Sequence, residues 1–387
     1  MDQRFVMFSG ANERAIIACC RHFKRAGACF SIISRPSRDK IFYTAYKNRV
    51  DARRTLDRLD ADDMVRQIEI LRDNYPADKL IYVPTAESVN RVMLEHRARF
   101  TASGLTIPLC HESLYATLSD KSTFNALAAT YGILLPEPLD VPDNTGLPCV
   151  AKPKQEFSTV TGEKIYPQLL FTPRDLQDFS SSHASSDYFF QKYIDGESYY
   201  LLLFVSGGIV KKLWQKNLLQ QAEGKSIISA EICTCPDEVV ESQILTLLQS
   251  TGYAGFIMVE IMREKEQSYL IEANPRLWGP FELAVSHGFN PAWVSMSGTC
   301  PDAPHRPRRY LWLNGWLQNR ASGKNVRLFL SPGQSPARFI TRLCLSDIYL
   351  QRDTLRLFAH EGITAVKSFL KRRSSVLRSE HVTASAD

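Results

Sequence analysis

No apolar run in this 387-residue chain approaches the roughly 20 residues that a helix needs to cross a bilayer. The longest candidate, YYLLLFVSGGIV (199–210), is broken by Gly207-Gly208 and reads as two strands around a tight turn. The opening residues, MDQRFVMFSG, lack the basic, apolar and small-residue succession of an export signal, so a cytoplasmic setting is expected. Regular cysteine spacing is missing too. Nine cysteines cannot all pair, and neither Cys19-Cys20 nor Cys233-x-Cys235 has the second pair or the histidines of a zinc site, which leaves reduced thiols. The turn SGAN (9–12) after the first apolar strand lacks the Gly-x-Gly-x-x-Gly of a dinucleotide site. Aromatics interleaved with basic residues, as in readers of single-stranded nucleic acid, are absent as well, and nucleic acid is not an expected partner.

What remains is an ordinary globular composition, 44% hydrophobic and 23% charged, long enough for about two or three domains. The net charge of +6 is uneven. From Pro301 onward 15 Lys and Arg face 6 Asp and Glu, whereas the preceding 300 residues carry 32 against 35. Over residues 1–112, apolar runs (RFVMF, CFSIIS, KLIYVPT) alternate with helical periodicity in 13–27, 61–74 and 86–100, which predicts a parallel sheet with helices on both faces. A second unit, 113–300, opens with Ser119 as the expected N-cap of a helix ending at Gly132. Strands follow at 147–154, on both sides of Asp195-Gly196, in IVKKLWQK and in SIISAEIC, with a helix over 236–253 and a final pair, GFIMVEIM and SYLIEAN. Beyond 301 the reading is a basic, mainly helical region, including FITRLCLSDIYLQ and ITAVKSFLKRR, with a disordered end, SEHVTASAD.

The final strand pair carries the chemistry. Alternation puts Phe256, Met258 and Glu260 on one face of the first strand, and Leu270, Glu272 and Asn274 on one face of the second. A turn centred on Glu266 sets Glu260 directly opposite Glu272, with the Asn274 amide two residues along. Facing carboxylates repel unless a cation lies between them, and three hard oxygens suit Mg²⁺ completed by phosphate and water. The alternative is a hairpin with a solvated face, which accounts for one glutamate but poorly for Asn-Pro-Arg after the strand. Phosphates call for cations. Lys121 follows Ser119-Asp120, Lys152 ends the strand VAK, and Arg276 lies past Asn274. The strand Gln191-Lys192-Tyr193-Ile194 has backbone groups for an adenine edge, and Glu197 a carboxylate for ribose hydroxyls.

In this order, Ser119-Asp-Lys, Val150-Ala-Lys-Pro, Gln191-Lys-Tyr-Ile-Asp-Gly-Glu, Gly255-Phe-x-x-Val-Glu260 and Ile271-Glu-Ala-Asn-Pro-Arg276 resemble the ATP-grasp superfamily, with the likeness closest to its carbamoyl phosphate synthetase-like and carboxylate–amine ligase members. The likeness spans about residues 1–290. It implies an N-terminal α/β domain, then a grasp domain of two α+β lobes (about 113–195 and 196–300), then the basic region 301–387. It also implies ATP with one or two Mg²⁺, or Mn²⁺ in their place. Lys121 and Lys152 would contact phosphates, Gln191, Lys192, Tyr193 and Ile194 would border adenine, and Glu197 would bind ribose. Glu260, Glu272 and Asn274 would hold metal, and Arg276 would be the catalytic residue at the transferring phosphoryl. The implied reaction joins a small-molecule carboxylate to an amine through an acyl-phosphate. Two other readings stay open: a carbamoyl phosphate synthetase-like kinase on bicarbonate or carbamate, and a nucleotide-binding regulator without turnover. A homodimer is compatible with either enzymatic reading.

One feature departs from the family. The segment after Lys152, PKQEFSTVTGEKIYP, has a single glycine where members carry a glycine-rich lid, leaving Ser158, Thr159 and Thr161 as expected phosphate donors with Lys154 beside them. Asn12, Arg35 and Glu87 sit at predicted strand ends, where α/β folds gather ligands. Trp278 reads as a packing residue and His287 as a helix-end residue. Arg306, Arg308, Arg309 and Lys371-Arg372-Arg373 read as a solvated basic cap.

Overall fold

The computed structural model describes residues 2–140, 143–154, 158–163, 165–295, 309–323, 327–328 and 346–383. Strands apolar on both faces must be covered on both, and the first third of the chain does this with a parallel sheet. β1 (Gln3–Phe8), β2 (Cys29–Ser34), β3 (Val50–Arg53), β4 (Lys79–Tyr82) and β5 (Leu105–Thr106) lie in the order β3-β2-β1-β4-β5. The helix Glu13–Ala26 ends as expected at Gly27, whose φ of 68° places it in the left-handed region. Two short helices follow, Glu112–Ser119 and Lys121–Thr130. Here the expected N-cap is corrected by one residue. Asp120 is the extended break between the helices and accepts from the N–H groups of Ser122 and Thr123, while the Ser119 hydroxyl turns back to the Tyr115 carbonyl. A carboxylate there also suits the positive end of the helix dipole.

A small antiparallel sheet comes next: β6 (Pro138–Leu139), β7 (Cys149–Pro153), β8 (Gln168–Leu170) and β9 (Tyr188–Lys192), in the order β6-β9-β7-β8. One face packs Cys149, Ala151, Tyr188 and Phe190 against Phe179 of the helix Pro173–Ser182. By alternation the other face carries Val150, Lys152 and Gln191.

The large sheet holds β10 (Glu197–Ser206), β11 (Ile209–Gln220), β12 (Ile227–Cys233), β13 (Gly255–Glu264), β14 (Gln267–Asn274), β15 (Tyr310–Leu311) and β16 (Arg327–Leu328). Its order is β14-β13-β10-β11-β12-β15, with β16 on β11. Gly207 and Gly208, at φ 53° and 83°, make the two-residue turn between β10 and β11. One face (Leu201, Leu203, Ile257, Val259) packs on Tyr115, Leu118 and Phe124 of the two short helices and on the helix Glu238–Ser250. The other (Leu202, Phe204, Phe256, Met258) belongs to a core shared with the helix Glu13–Ala26 and with Trp278, Tyr310 and Leu357. Trp278 is thus a packing residue.

The C-terminal region differs from the expected solvated cap in two respects. It adds β15 and β16 to the large sheet, and it is clamped by buried polar contacts. Arg14, stacked over the Trp312 ring at 4.1 Å, donates to Ile227 O and Tyr310 Oη. Arg21 forks onto Asp353 at 2.8 and 3.0 Å. Of FITRLCLSDIYLQ, residues 339–345 lie outside the described residues, and 346–351 form turns instead of a helix because Asp347 bridges to Leu311 and caps Leu313, Tyr349 and Leu350. The expected disordered end is helical through Thr383, the end of the helix Leu355–Thr383, and the last four residues lie outside the described ones. Arg309 pairs with Glu231 at 3.0 Å, and Arg306 and Arg308 are likewise outside. Among the described residues no helix is long and apolar enough to cross a membrane.

Candidate active site

Glu260 does face Glu272, but not by the route expected from the turn. The turn is Lys265-Glu266, with Glu264 opposite Gln267, a register that would pair even positions with odd. A β-bulge at Ile271 inserts one residue and restores the carboxylate pair beyond it. It also moves Leu270 to the opposite face, into the core with Ile261 and Val259, so Leu270 does not share a face with Glu272 as alternation alone predicted. The bulge has a second consequence. The Ile271 carbonyl accepts a 3.4 Å contact from Lys152 Nζ, so the small sheet's lysine reaches across to the large sheet beside the two carboxylates.

Lys121, the first residue of its helix, sits 3.2 Å from Glu272 Oε2, and Asn274 Nδ2 donates to Glu272 Oε1 at 2.9 Å. Arg276 donates to Asn274 Oδ1 at 2.8 Å. Behind Arg276, the N–H of Leu277 bonds Pro84 O, and Asn12 Nδ2 reaches both Thr85 O and Leu277 O. Asn12 holds this strained position at φ 53° while stapling the strand ends of the parallel sheet to the loop that carries Arg276.

The electrostatics are unbalanced. Burial and the facing charge of Glu272 push Glu260, only 8% exposed, well above the carboxylate range. Burial would raise Glu272 too, yet Lys121 and the hydrogen bonds of Asn274 and Lys121 hold it far down. Burial would discharge Lys121, but Glu272 raises it. Lys152 is brought down to about 8 by burial and by Lys121. Two sheets thus meet at two carboxylates and two lysines, and one member of each pair is held away from its charged form.

A polar row that the sequence reading missed supports Glu260 from below. Gln215 Nε2 donates to Asn217 Oδ1 (2.7 Å), Asn217 Nδ2 to Ser198 Oγ (2.8 Å), and Ser198 Oγ to Glu260 Oε1 (3.3 Å). All three are buried. The signal was present in β11, where Gln215 and Asn217 share a strand face with Leu213, which packs on the core.

Other expected site residues have partners of their own. Glu197 is held by Lys216 and Tyr199, on the face opposite Ser198 and Glu260, so the structure does not bring it to the carboxylate pair. Lys192 is exposed, with Nζ 3.9 Å from Glu137. In the segment expected to border adenine, two N–H groups already have partners, Lys192 with Glu137 O and Tyr193 with Pro148 O. Ile194 packs with Met262, and Gln191 is buried with its Oε1 unbonded. The Ser158 and Thr159 hydroxyls both go to Asp187, Thr161 Oγ accepts from the Glu163 N–H, and Lys154 Nζ donates to Ser186 O. Two of the three expected hydroxyl donors, Ser158 and Thr159, are therefore engaged in closing a local turn on Asp187.

No protein-family model matches the sequence, and no curated relative is similar to it. Solved structures are similar in fold. The biotin carboxylase domain of 2-oxoglutarate carboxylase from Hydrogenobacter thermophilus, solved with MgADP, ADP and bicarbonate, has TM-score 0.55 and 14% identity over 79% of this chain and 72% of that one. Biotin carboxylase from Campylobacter jejuni has TM-score 0.56 and 13% identity, over 78% and 72%. N5-carboxyaminoimidazole ribonucleotide synthetase, solved with ADP, has 0.52 and 12%, over 74% and 72%. The chain has the ATP-grasp fold. Among the described residues no three His, Cys, Asp or Glu side chains are placed to share a metal. A cation would have two carboxylates, and the rest of its shell would come from the amide, water or ligand oxygens. That donor set fits Mg²⁺.

Proposed function

We propose that the chain is an ATP- and Mg²⁺-dependent ligase that joins a carboxylate to an amine through an acyl-phosphate, releasing ADP and phosphate. The observation that carries this reading is Glu260 opposite Glu272, bracketed by Lys121 and Lys152 from two different elements and followed by Arg276. Glu260, Glu272 and Asn274 would hold Mg²⁺, with the Asn274 oxygen turning from Arg276 to the metal. When bound there, the ion would neutralise charge on the transferring phosphoryl. Lys121 and Lys152 would exchange their contacts with Glu272 and Ile271 for phosphate oxygens. Arg276, released from Asn274, would stabilise charge on the phosphoryl as it passes to the substrate carboxylate. Gln191 and Lys192 at the end of β9, which pairs with the strand carrying Lys152, and Tyr193 and Ile194 just past it would border the base. Phosphoryl transfer depends on positioning and charge neutralisation more than on a protein nucleophile, and these are the residue types gathered here. The division 1–112, 113–300 and 301–387 belongs to the same proposal.

Bicarbonate is the second substrate reading, favoured by the bicarbonate bound in the Hydrogenobacter structure. A phosphate-release screen of carboxylic acids crossed with amines, with bicarbonate as one of the acids, tests both. Release that needs an added acid and amine supports the ligase. Release with bicarbonate alone moves the reading to a carbamoyl phosphate-type kinase. Nucleotide binding without release under any pairing sinks both.

A further inference from the structure

We propose that the outward face of the C-terminal helix Leu355–Thr383 docks on the surface of an anionic membrane. The helix has an inner row, Leu357, Glu361 and Ala365, which is 0%, 2% and 4% exposed. The opposite side of a surface helix is normally polar. Here it carries Leu355, Ile363, Val366, Phe369 and Leu370, which are 48%, 56%, 55%, 48% and 55% exposed. At 100° per residue, Ile363, Val366 and Leu370 share one stripe with Phe369 at its margin, and Lys367 and Lys371 follow its other margin one turn apart. The helix is buried only as far as Ala365, and from Val366 to Arg372 every side chain is exposed, so most of this apolar stripe lies on a stretch that is open to a covering surface.

The charge pattern selects the occupant. Between Leu355 and Arg372 the only acidic residue is Glu361, which is buried and bonded to Lys40 and Trp312. Arg356, Lys367 and Lys371 are exposed, so the rim of the stripe is cationic. A second copy laid on the same stripe would bring two cationic rims together. An anionic bilayer answers both halves of the face: acyl-chain boundary for the stripe, and headgroup charge for lysines whose stems lie along it.

The test is cosedimentation of the intact chain with vesicles of phosphatidylcholine containing about a third phosphatidylserine, against phosphatidylcholine alone. The expected result is binding to the acidic vesicles that weakens about tenfold without phosphatidylserine or in roughly 0.5 M salt. Ile363→Asp with Val366→Asp, and separately Lys367→Glu with Lys371→Glu, should each reduce binding about tenfold or more at an unchanged melting temperature, since all four side chains are exposed. The proposal is overturned if acidic vesicles pull down no protein, or if neither double variant changes what they pull down. It is equally overturned if light scattering shows a dimer that Ile363→Asp dissolves, because a second copy then covers the stripe.

Discussion

Two clusters of buried charge divide the labour of this molecule. In one, between the helix Glu13–Ala26 and the C-terminal region, Arg21 holds Asp353 bidentately, donates to Ile348 O and Thr354, and faces Glu282 at 3.5 Å. Despite burial, Asp353 is held below its ordinary range by that guanidinium. In the other, at the hairpin bulge, a carboxylate is pushed up and a lysine brought down, and the contacts of both are long, 3.3 Å from Ser198 to Glu260 and 3.4 Å from Lys152 to Ile271. Charges that satisfy one another hold a fold together. Charges left unbalanced in a cleft are where a charged ligand gains most.

The comparison breaks if substitutions in the two clusters have the same kind of effect. Glu272→Gln should lower turnover by at least about a hundredfold, since it removes a charge on which metal and phosphate both depend, while the melting curve moves little. Retained activity would remove the metal role. Arg21→Ala should do the reverse, destabilising the chain by about 3–5 kcal/mol because it strands Asp353 and Glu282, with the activity of the remaining folded protein unchanged. Denaturant titration beside an activity assay reads both. Lys152→Met should raise the apparent ATP requirement about tenfold or more with a smaller change in kcat, and unchanged ATP kinetics would take Lys152 out of the phosphate site.

How much of this division could be read from the sequence depends on the range of the forces involved. The carboxylate pair was legible because strand alternation is local and the hairpin short, although it was reached on a wrong turn centre that the bulge at Ile271 corrects. Lys121 and Lys152 were legible as types in an order, not as neighbours, because nothing local shows that β7 ends against β14. The partners of Glu197 were hidden for the same reason: Lys216 comes from the neighbouring strand β11, and Tyr199 lies two residues along β10 on the same face. The Arg21 cluster was invisible, since its partners lie more than 250 residues away in the chain. The Ser119 error was a choice between two adjacent capping residues, decided by which of them takes the extended backbone.

A subtler effect sharpens the contrast, because only the unbalanced cluster should exchange protons with a ligand. Lys152 has a folded-state pKa of about 8, below its ordinary 10.5. Its charged form is therefore disfavoured in the folded chain, and stability should rise with pH between those two values. A polyphosphate beside it favours the charged form. Binding of MgATP near pH 8.5, where Glu260 is already ionised, should then take up roughly three quarters of a proton. Calorimetry in buffers of different ionisation enthalpy measures this, and Lys152→Arg should abolish the uptake. A binding enthalpy independent of buffer in the native chain would contradict the lowered pKa.

The smallest expected effect tests whether the buried polar row belongs to the site or to the fold. Ser198 donates to Glu260 and so favours its carboxylate form, while Asn217 holds the Ser198 oxygen in place. Ser198→Ala removes that support, so the pKa of Glu260, already at about 7, should rise further. A hydrogen bond to a charged group contributes about 1 kcal/mol or more net, and one this long somewhat less, which corresponds to roughly half a pH unit. The acid limb of kcat/KM should move up by that amount, with the plateau above it nearly unchanged. Asn217→Ala should move the limb the same way but less, acting one bond further out, and leaves Gln215 Nε2 without its acceptor. A row that only held the sheet together would lower the melting temperature in both variants and leave the limb where it was.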